Sequence, residues 1–249
     1  MRRTVVFALR NTKEMLRDVI TLFFGVLFPV VILLLLTAIN AGIPKEAEMK
    51  LFDIENLVPG ITVFGLSFIS LFSATLVSKD RGTSFILRLY TSPLKATEYI
   101  LGYTMPLVPM SVVQNVLCYL VALVIGLGFS WNVLLAVAVN VPAVILFIAL
   151  GLLFGTILND KAVGGVCGAL LTNLTAWLSG TWFDLKLVGG AFEKVANLMP
   201  FTHAVNAGRF ALSGDYSQII PELLWVSAYA LVIMVIAVIV FNIKMKQDK

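Results

Sequence analysis

The sequence predicts an all-α membrane protein: six transmembrane helices, an N-terminal amphipathic interfacial helix, a short cytoplasmic helix and short outer re-entrant helices. Three observations predict it. Residues 19–41, 57–78, 105–129, 133–158, 162–181 and 223–242 contain no Asp, Glu, Lys, Arg or His. A helix rising about 1.5 Å per residue needs roughly 20 apolar residues to cross a hydrocarbon core about 30 Å thick, and each run supplies them. The chain of 249 residues is 59% hydrophobic and only 13% charged, with mean hydropathy +0.97, far from the composition of soluble domains. Finally, the 18 Lys and Arg residues are unevenly shared between the two sets of loops.

The first element is expected over residues 4–18. Val5, Ala8, Leu9, Thr12, Met15, Leu16 and Val19 recur at helical spacing, while Arg10, Lys13, Glu14 and Arg17 gather opposite. Such a helix lies in the interface with its basic face toward anionic headgroups or a cytoplasmic partner. The run 19–41 starts late and lacks a small-residue cleavage site, so it reads as a retained span and not a signal peptide. After the second span, Gly82 ends the helix, Thr83 or Ser84 caps a short new one, and Ser92-Pro93 opens the segment leading into the third span. The resulting cytoplasmic helix within 79–95 offers Phe85, Ile86, Leu89 and Tyr90 beside Arg88. Such apolar anchors rimmed by charge suit a protein contact, and an ordinary basic loop has the same composition. Pro29, Pro106, Pro109 and Pro142 kink their spans and free carbonyls, which Gln114, Asn115 and Asn140 are placed to satisfy. Gly151-x-x-x-Gly155 and Gly164-x-x-x-Gly168 have the spacing that lets helices approach closely. The loop 182–222 is too long for a simple connection. Its apolar stretch 188–210, broken by Gly189, Gly190 and Pro200, suggests two short helices dipping into the outer leaflet.

Charge distribution gives the orientation. With six spans, one side carries Arg2, Arg3, Arg10, Lys13, Arg17, Lys79, Arg81, Arg88, Lys95, Lys161, Lys244, Lys246 and Lys249, that is 13 basic residues against five opposite. The positive-inside rule then expects both termini in the cytoplasm, with the multi-pass chain in the plasma (inner) membrane. Trp131, Trp182 and Trp225 fall at the outer interface, and Tyr90, Tyr99 and Tyr103 at headgroup level inside. The net charge of +4 is explained by topology, and no nucleic-acid partner is expected. Residues 1–249 are read as one transmembrane domain without a soluble catalytic unit.

No enzyme chemistry suggests itself. Cys118 and Cys167 lie in apolar spans as packing residues, and His203 is the lone histidine, too little for a His-based metal site or a triad, so no metal site is expected. An ion-coupled transporter would place a carboxylate near the midplane, where these spans have none. Hydropathy leaves an energy-independent channel or a membrane assembly scaffold open.

Lys79-Asp80-Arg81-Gly82-Thr83, then Arg88-Leu89 and Ser92-Pro93, resembles the loop pattern of the type-2 ATP-binding-cassette (ABC-2 type) export permeases: Arg-Glu-x-Gly-Thr, a basic-Leu pair and a proline. Met199-Pro200-Phe201-Thr202-His203-Ala204-Val205-Asn206-Ala207-Gly208-Arg209 resembles that family's Leu-Pro-x-Thr/Ser-x-x-Val-x-x-x-Arg stretch before the last span. Lys79 and Asp80 depart from the commoner Arg and Glu, and the proline often found beyond the fifth span is missing after Gly180-Thr181-Trp182. The resemblance, closest to the small multidrug and antibiotic exporters, implies a non-catalytic permease subunit working with two ABC ATPase subunits and with a second permease copy or a homologous permease, in membrane lipid. ATP and Mg would be bound by the ATPase, and this chain would bind no cofactor. It has no Gly-x-x-x-x-Gly-Lys-Ser/Thr phosphate loop. Asp80, Arg81, Gly82, Thr83, Phe85, Arg88, Leu89 and Pro93 would couple to the ATPase through a coupling helix. The second and fifth spans would line a path with Ser67, Phe68, Ser70, Thr172, Asn173, Thr175 and Ser179, and Pro200, His203 and Arg209 would belong to an outer gate. A mildly polar, uncharged path suits a hydrophobic or amphipathic cargo such as a drug, antibiotic or lipid.

Overall fold

The computed structural model describes residues 2–44, 50–83 and 95–247. Among these there is no strand. In chain order the helices are α1 (Arg2–Arg17), α2 (Val19–Ala41), α3 (Ile54–Arg81), α4 (Ala96–Ile125), α5 (Trp131–Ile157), α6 (160–178), α7 (Leu185–Val188), α8 (Gly190–Leu198), α9 (Pro200–Ser213) and α10 (Tyr216–Gln247). Five of them, α2, α3, α4, α5 and α10, are long and apolar enough to cross a membrane. α6 coincides with the expected fifth span but carries Gly164, Gly165, Thr172 and Asn173, which dilute its hydropathy. The end of the bundle bearing Arg81 and Lys95 is called inner, and the end bearing α7, α8 and α9 outer.

The helices of the second and last spans continue past their uncharged runs, because backbone hydrogen bonding does not stop where side chains become charged. The second span therefore begins at Ile54 and ends at Arg81, and the last covers Tyr216–Gln247. The third is an exception. It stops at Ile125 and not at Phe129, because Gly126 leaves the helix at φ 134°, a conformation that only glycine adopts readily. α5 is interrupted at Asn140, two residues before Pro142.

α3 is the central helix. In its most apolar stretch 89% of residues are buried, against 22% in α2 and 17% in α10, so those two present their side chains outward. α3 packs on α2, α4, α5, α6 and α9. Its closest approach is to α5, where a Cβ added at Gly151 would lie 2.2 Å from Ser70 O and one at Gly155 2.4 Å from Ala74 O. Ser73 donates across this seam to Ile148 O at 3.0 Å. The first Gly-x-x-x-Gly pair thus brings two backbones together. Gly164 of the second pair faces open space.

α1 differs from the expected single apolar stripe. Thr4, Phe7, Ala8, Asn11 and Met15 form the buried face, whereas Val5, Leu9 and Leu16 are exposed. The helix has two apolar faces, one for protein and one turned out. Phe7 sits edge-on to Tyr99 and Tyr103, with centroids 5.7 and 4.9 Å away, and fills the space over Gly102, where a Cβ would lie 2.4 Å from its ring. Tyr99 and Tyr103 are accordingly fully buried within the chain. Pro106 cannot donate, which frees Gly102 O, and Asn11 Nδ2 supplies the missing hydrogen bond at 3.1 Å. Asn115 donates to Val137 O, in the turn where α5 is interrupted before Pro142, as expected of such a repair, and Gln114 donates to Thr62 O on α3.

Asp18 separates α1 from α2. Its Oδ1 accepts from Ile20 N and Thr21 N, and its Oδ2 from the Thr21 hydroxyl at 2.9 Å. Replacing Asp18 by Ala should cost about 1 kcal/mol. The loss is expected as faster amide exchange confined to the first turn of α2, with exchange at the centre of α3 unchanged.

Candidate functional site

The inner end of α3 gathers a polar knot at the root of the loop that carries the first motif. Helical spacing puts Asp80 toward α1 and α4, and its neighbour Arg81 toward α5 and α6. Asp80 is 3% exposed. Arg10 grips it with two parallel hydrogen bonds, Nη1 to Oδ2 at 2.7 Å and Nη2 to Oδ1 at 2.8 Å. Tyr103 OH donates to Oδ2 at 2.9 Å. Glu14, one turn along α1, also contacts Arg10 Nη2 at 2.9 Å. Burial alone would lower the Arg10 pKa, but the hydrogen bond to Asp80 and the charges of Asp80 and Glu14 raise it, so the guanidinium stays charged. Two parallel N–H···O bonds fix orientation as well as charge.

Arg81 reaches the other way. Its Nη1 donates to Gly155 O at 3.1 Å and lies 3.4 Å from Leu158 O, so a cation sits at the carbonyl end of α5. Ser78 OH donates to Asp160 Oδ1 at 3.2 Å, and Asn159 Oδ1 caps α6 by accepting from Ala162 N. Gly82 closes α3, and the Thr83 hydroxyl donates back to Asp80 O at 3.0 Å; the helix that Thr83 or Ser84 was expected to cap lies outside the described residues. Ser78, Asp80 and Arg81 therefore tie α1, α4, α5 and α6 to one helix end. They border an open hollow of about 1000 Å³ together with Glu14, Lys79 and Lys161. Phe85, Arg88, Leu89 and Pro93, with Ser84, Tyr90 and Ser92, lie outside the described residues.

The residues expected along a path are divided. Ser67 and Ser70 are fully covered by this chain's own helices; Ser67 donates to Phe64 O at 2.7 Å. Phe68 is enclosed in an aromatic cluster with Phe24, Phe28 and Phe64, its ring stacked 5.7 Å from Phe24. Thr175 and Ser179 are also fully buried. Thr172 is half-buried, and Asn173 and Trp177 are exposed on the outward face of α6. Asn173 Nδ2 donates to Ala169 O at 2.8 Å. In this conformation the α3 members thus face no outside surface of the chain, and Asn173 does.

At the outer end Pro200 is buried at the first position of α9. Arg209 donates through Nε to Asn56 O at 3.1 Å and through Nη2 to Gly180 O at 2.9 Å, joining α9 to the start of α3 and the end of α6. Burial pushes its pKa down to about 10, partly offset by Asp184, so it remains a cation at neutral pH. His203 contacts Glu222 at the start of α10. Trp182, expected at the interface, packs edge-on against Phe64 at 5.5 Å.

Sequence reasoning put Arg10 on a charged surface face and left Tyr103 and Asn11 out of the site. The one signal available for Asn11 was the carbonyl that Pro106 frees. Among the described residues no group of His, Cys, Asp and Glu is arranged to hold a metal ion.

Comparison with known proteins agrees with the resemblance of the two motifs. The profile of a family described as ABC-2 type transporter matches residues 2–212, α1 through α9. A curated relative, ABC transporter G family member 20 of Dictyostelium discoideum, is 26% identical over 205 residues, which cover 79% of this chain and 28% of the relative. The chain thus spans little more than a quarter of the length of that relative.

Proposed function

The chain belongs to the ABC-2 type transporter family, and from that premise we propose that it is the membrane-spanning subunit of an ATP-driven exporter of hydrophobic or amphipathic molecules. Separate ATPase subunits bind ATP and Mg, and the loop 79–95 docks on them. Two permease copies, or this chain and a homologue, enclose the path. α6 is the fifth of six crossings, both termini are cytoplasmic, and α1 lies along the inner surface with Val5, Leu9 and Leu16 in lipid.

The observation that carries the mechanism is the knot at the loop's root. A push on the loop reaches Asp80 and Arg81 first, and these, with Ser78 one turn before, hold α1, α4 and the α5–α6 corner through buried or partly buried polar contacts. The α3–α5 seam leaves no room for slip, so the stroke moves these helices as a body. Outward motion of α6 relative to its counterpart then opens the path beside Asn173 and Trp177. A mildly polar, uncharged surface suits an amphipathic cargo, because a bare ion finds no counter-charge there.

Reconstitution tests this reading. Liposomes holding the purified complex with its ATPase should accumulate a fluorescent amphiphilic dye when ATP is supplied on the ATPase side. Liposomes holding this polypeptide alone should not. ATP-independent dye movement by the polypeptide alone would refute it in favour of a channel.

A further inference from the structure

Both ring nitrogens of His203 face acceptors. Nδ1 contacts Glu222 Oε2, and Nε2 lies 2.8 Å from Asn197 O. A neutral imidazole has one N–H and one lone pair, so it satisfies one of these and repels the other; only the imidazolium donates to both. The three residues sit on three elements: Asn197 in the last turn of α8, His203 on α9 and Glu222 on α10. We propose that His203 is a proton-binding site of the outer end: protonated, it ties α8 to α9 and, through Glu222, to α10, and loss of the proton to the outer solution releases α8.

The surroundings favour the charged ring. A cation beside the carbonyl end of α8 complements the helix dipole. The Trp225 ring lies 5.1 Å from that of His203 and covers it, while Trp225 Nε1 and Tyr229 OH both donate to Leu198 O. Glu222 is the carboxylate in contact. Of the other charged groups on packed elements, Glu193 of α8 and Arg209 of α9 line, with Asp184 and Lys186, the hollow that Asn197 also borders; Lys194 is exposed, and Glu55 is exposed at the start of α3. Asp215 accepts from the Ser217 hydroxyl, and Tyr216 OH donates to Asn132. The facing parts of α5 and α6, Trp131–Val139 and Thr172–Leu178, carry no ionisable side chain.

Burial works against the charge, but the hydrogen bonds to Glu222 and Asn197 and the Glu222 charge outweigh it, so the His203 pKa is raised. A raised folded-state pKa means that the latch is fully present below the ordinary imidazole value near 6.5 and is lost as pH rises through the raised value. On deprotonation the remaining N–H stays with the carboxylate at Nδ1, the stronger acceptor. The bond given up is that to Asn197 O, which frees α8 first.

One histidine in the whole chain makes the test direct. The full chain, purified with a histidine-free tag and ring-labelled with ¹⁵N-histidine, is placed in lipid nanodiscs and titrated by NMR. Both ring nitrogens should read as protonated at pH 6.5, with a midpoint above that value, and Glu222→Gln should move the midpoint down. A nitroxide pair at exposed Lys194→Cys and Ser217→Cys should give one narrow distance below the midpoint and a broader, longer distribution above it. His203→Gln should abolish that pH response. The native Cys118 and Cys167 are buried and can stay. A neutral ring at pH 6.5, a midpoint unmoved by Glu222→Gln, or a distance independent of pH would each overturn the proposal. Neither readout uses ATP, cargo or ATPase, so failure here leaves the transport reading standing.

Discussion

Arg10→Ala is expected to destabilise the chain by about 3 kcal/mol, more than Asp80→Asn, although both break the same pair. The asymmetry follows from exposure: the Arg10 side chain is 36% exposed and can turn to water, whereas the Asp80 side chain is 5% exposed. Without Arg10, a buried carboxylate keeps, among the described residues, the Tyr103 hydroxyl as its side-chain donor. Asp80→Asn removes the charge along with its need for a partner, and an amide oxygen can still accept from Tyr103. Thermal unfolding of the purified variants in one detergent should rank wild type, Asp80→Asn and Arg10→Ala in that order. Arg10→Met combined with Asp80→Leu should recover part of the loss, because apolar replacement of both partners removes the unpaired charge. Equal losses from the two single variants would show that Asp80 is hydrated in the membrane.

Gly151→Val should prevent α3 and α5 from closing and cost about 3 kcal/mol or more. A Cβ at this position falls 2.2 Å from Ser70 O, a backbone atom that cannot rotate away as the end of a side chain can. The helices must separate, which also pulls Ser73 from Ile148 O. Gly164→Ala is the matched control: nothing lies within 4 Å of its new methyl group, and alanine favours helix over glycine, so stability should be unchanged or rise by about 0.5–1 kcal/mol. Monodispersity on gel filtration after a heat step separates the two outcomes. A stable Gly151→Val chain would mean that the seam is looser than its geometry.

The spans were legible because a bilayer leaves one strong signal, the absence of charge over about 20 residues. α2 was placed residue for residue by that signal, and α3 to within three residues at each end. α6 carries the same charge-free run, yet glycine, threonine and asparagine weaken its hydropathy. What each face touches was less legible. Val5, Leu9 and Leu16 share a stripe with Ala8 and Met15 by spacing, but hydropathy does not distinguish the apolar side chains that pack on the protein from those turned outward. Tyr99 and Tyr103 were sorted to the interface by residue type, which gave no sign that Phe7 covers their rings and that Asp80 accepts from the Tyr103 hydroxyl. The motif drew attention to Asp80, but its partner lies 70 positions away on a surface-like helix, and an ion pair between elements has no periodicity to betray it.

The central claim, that force from an ATPase enters through the loop after α3, is tested most directly by photo-crosslinking in native membranes. Benzoylphenylalanine at position 88 should give, on irradiation, a covalent adduct with a second polypeptide that binds a labelled ATP analogue, and the yield should change when ATP is trapped with vanadate. Adducts with lipid alone, or with a polypeptide that binds no nucleotide, would contradict the account.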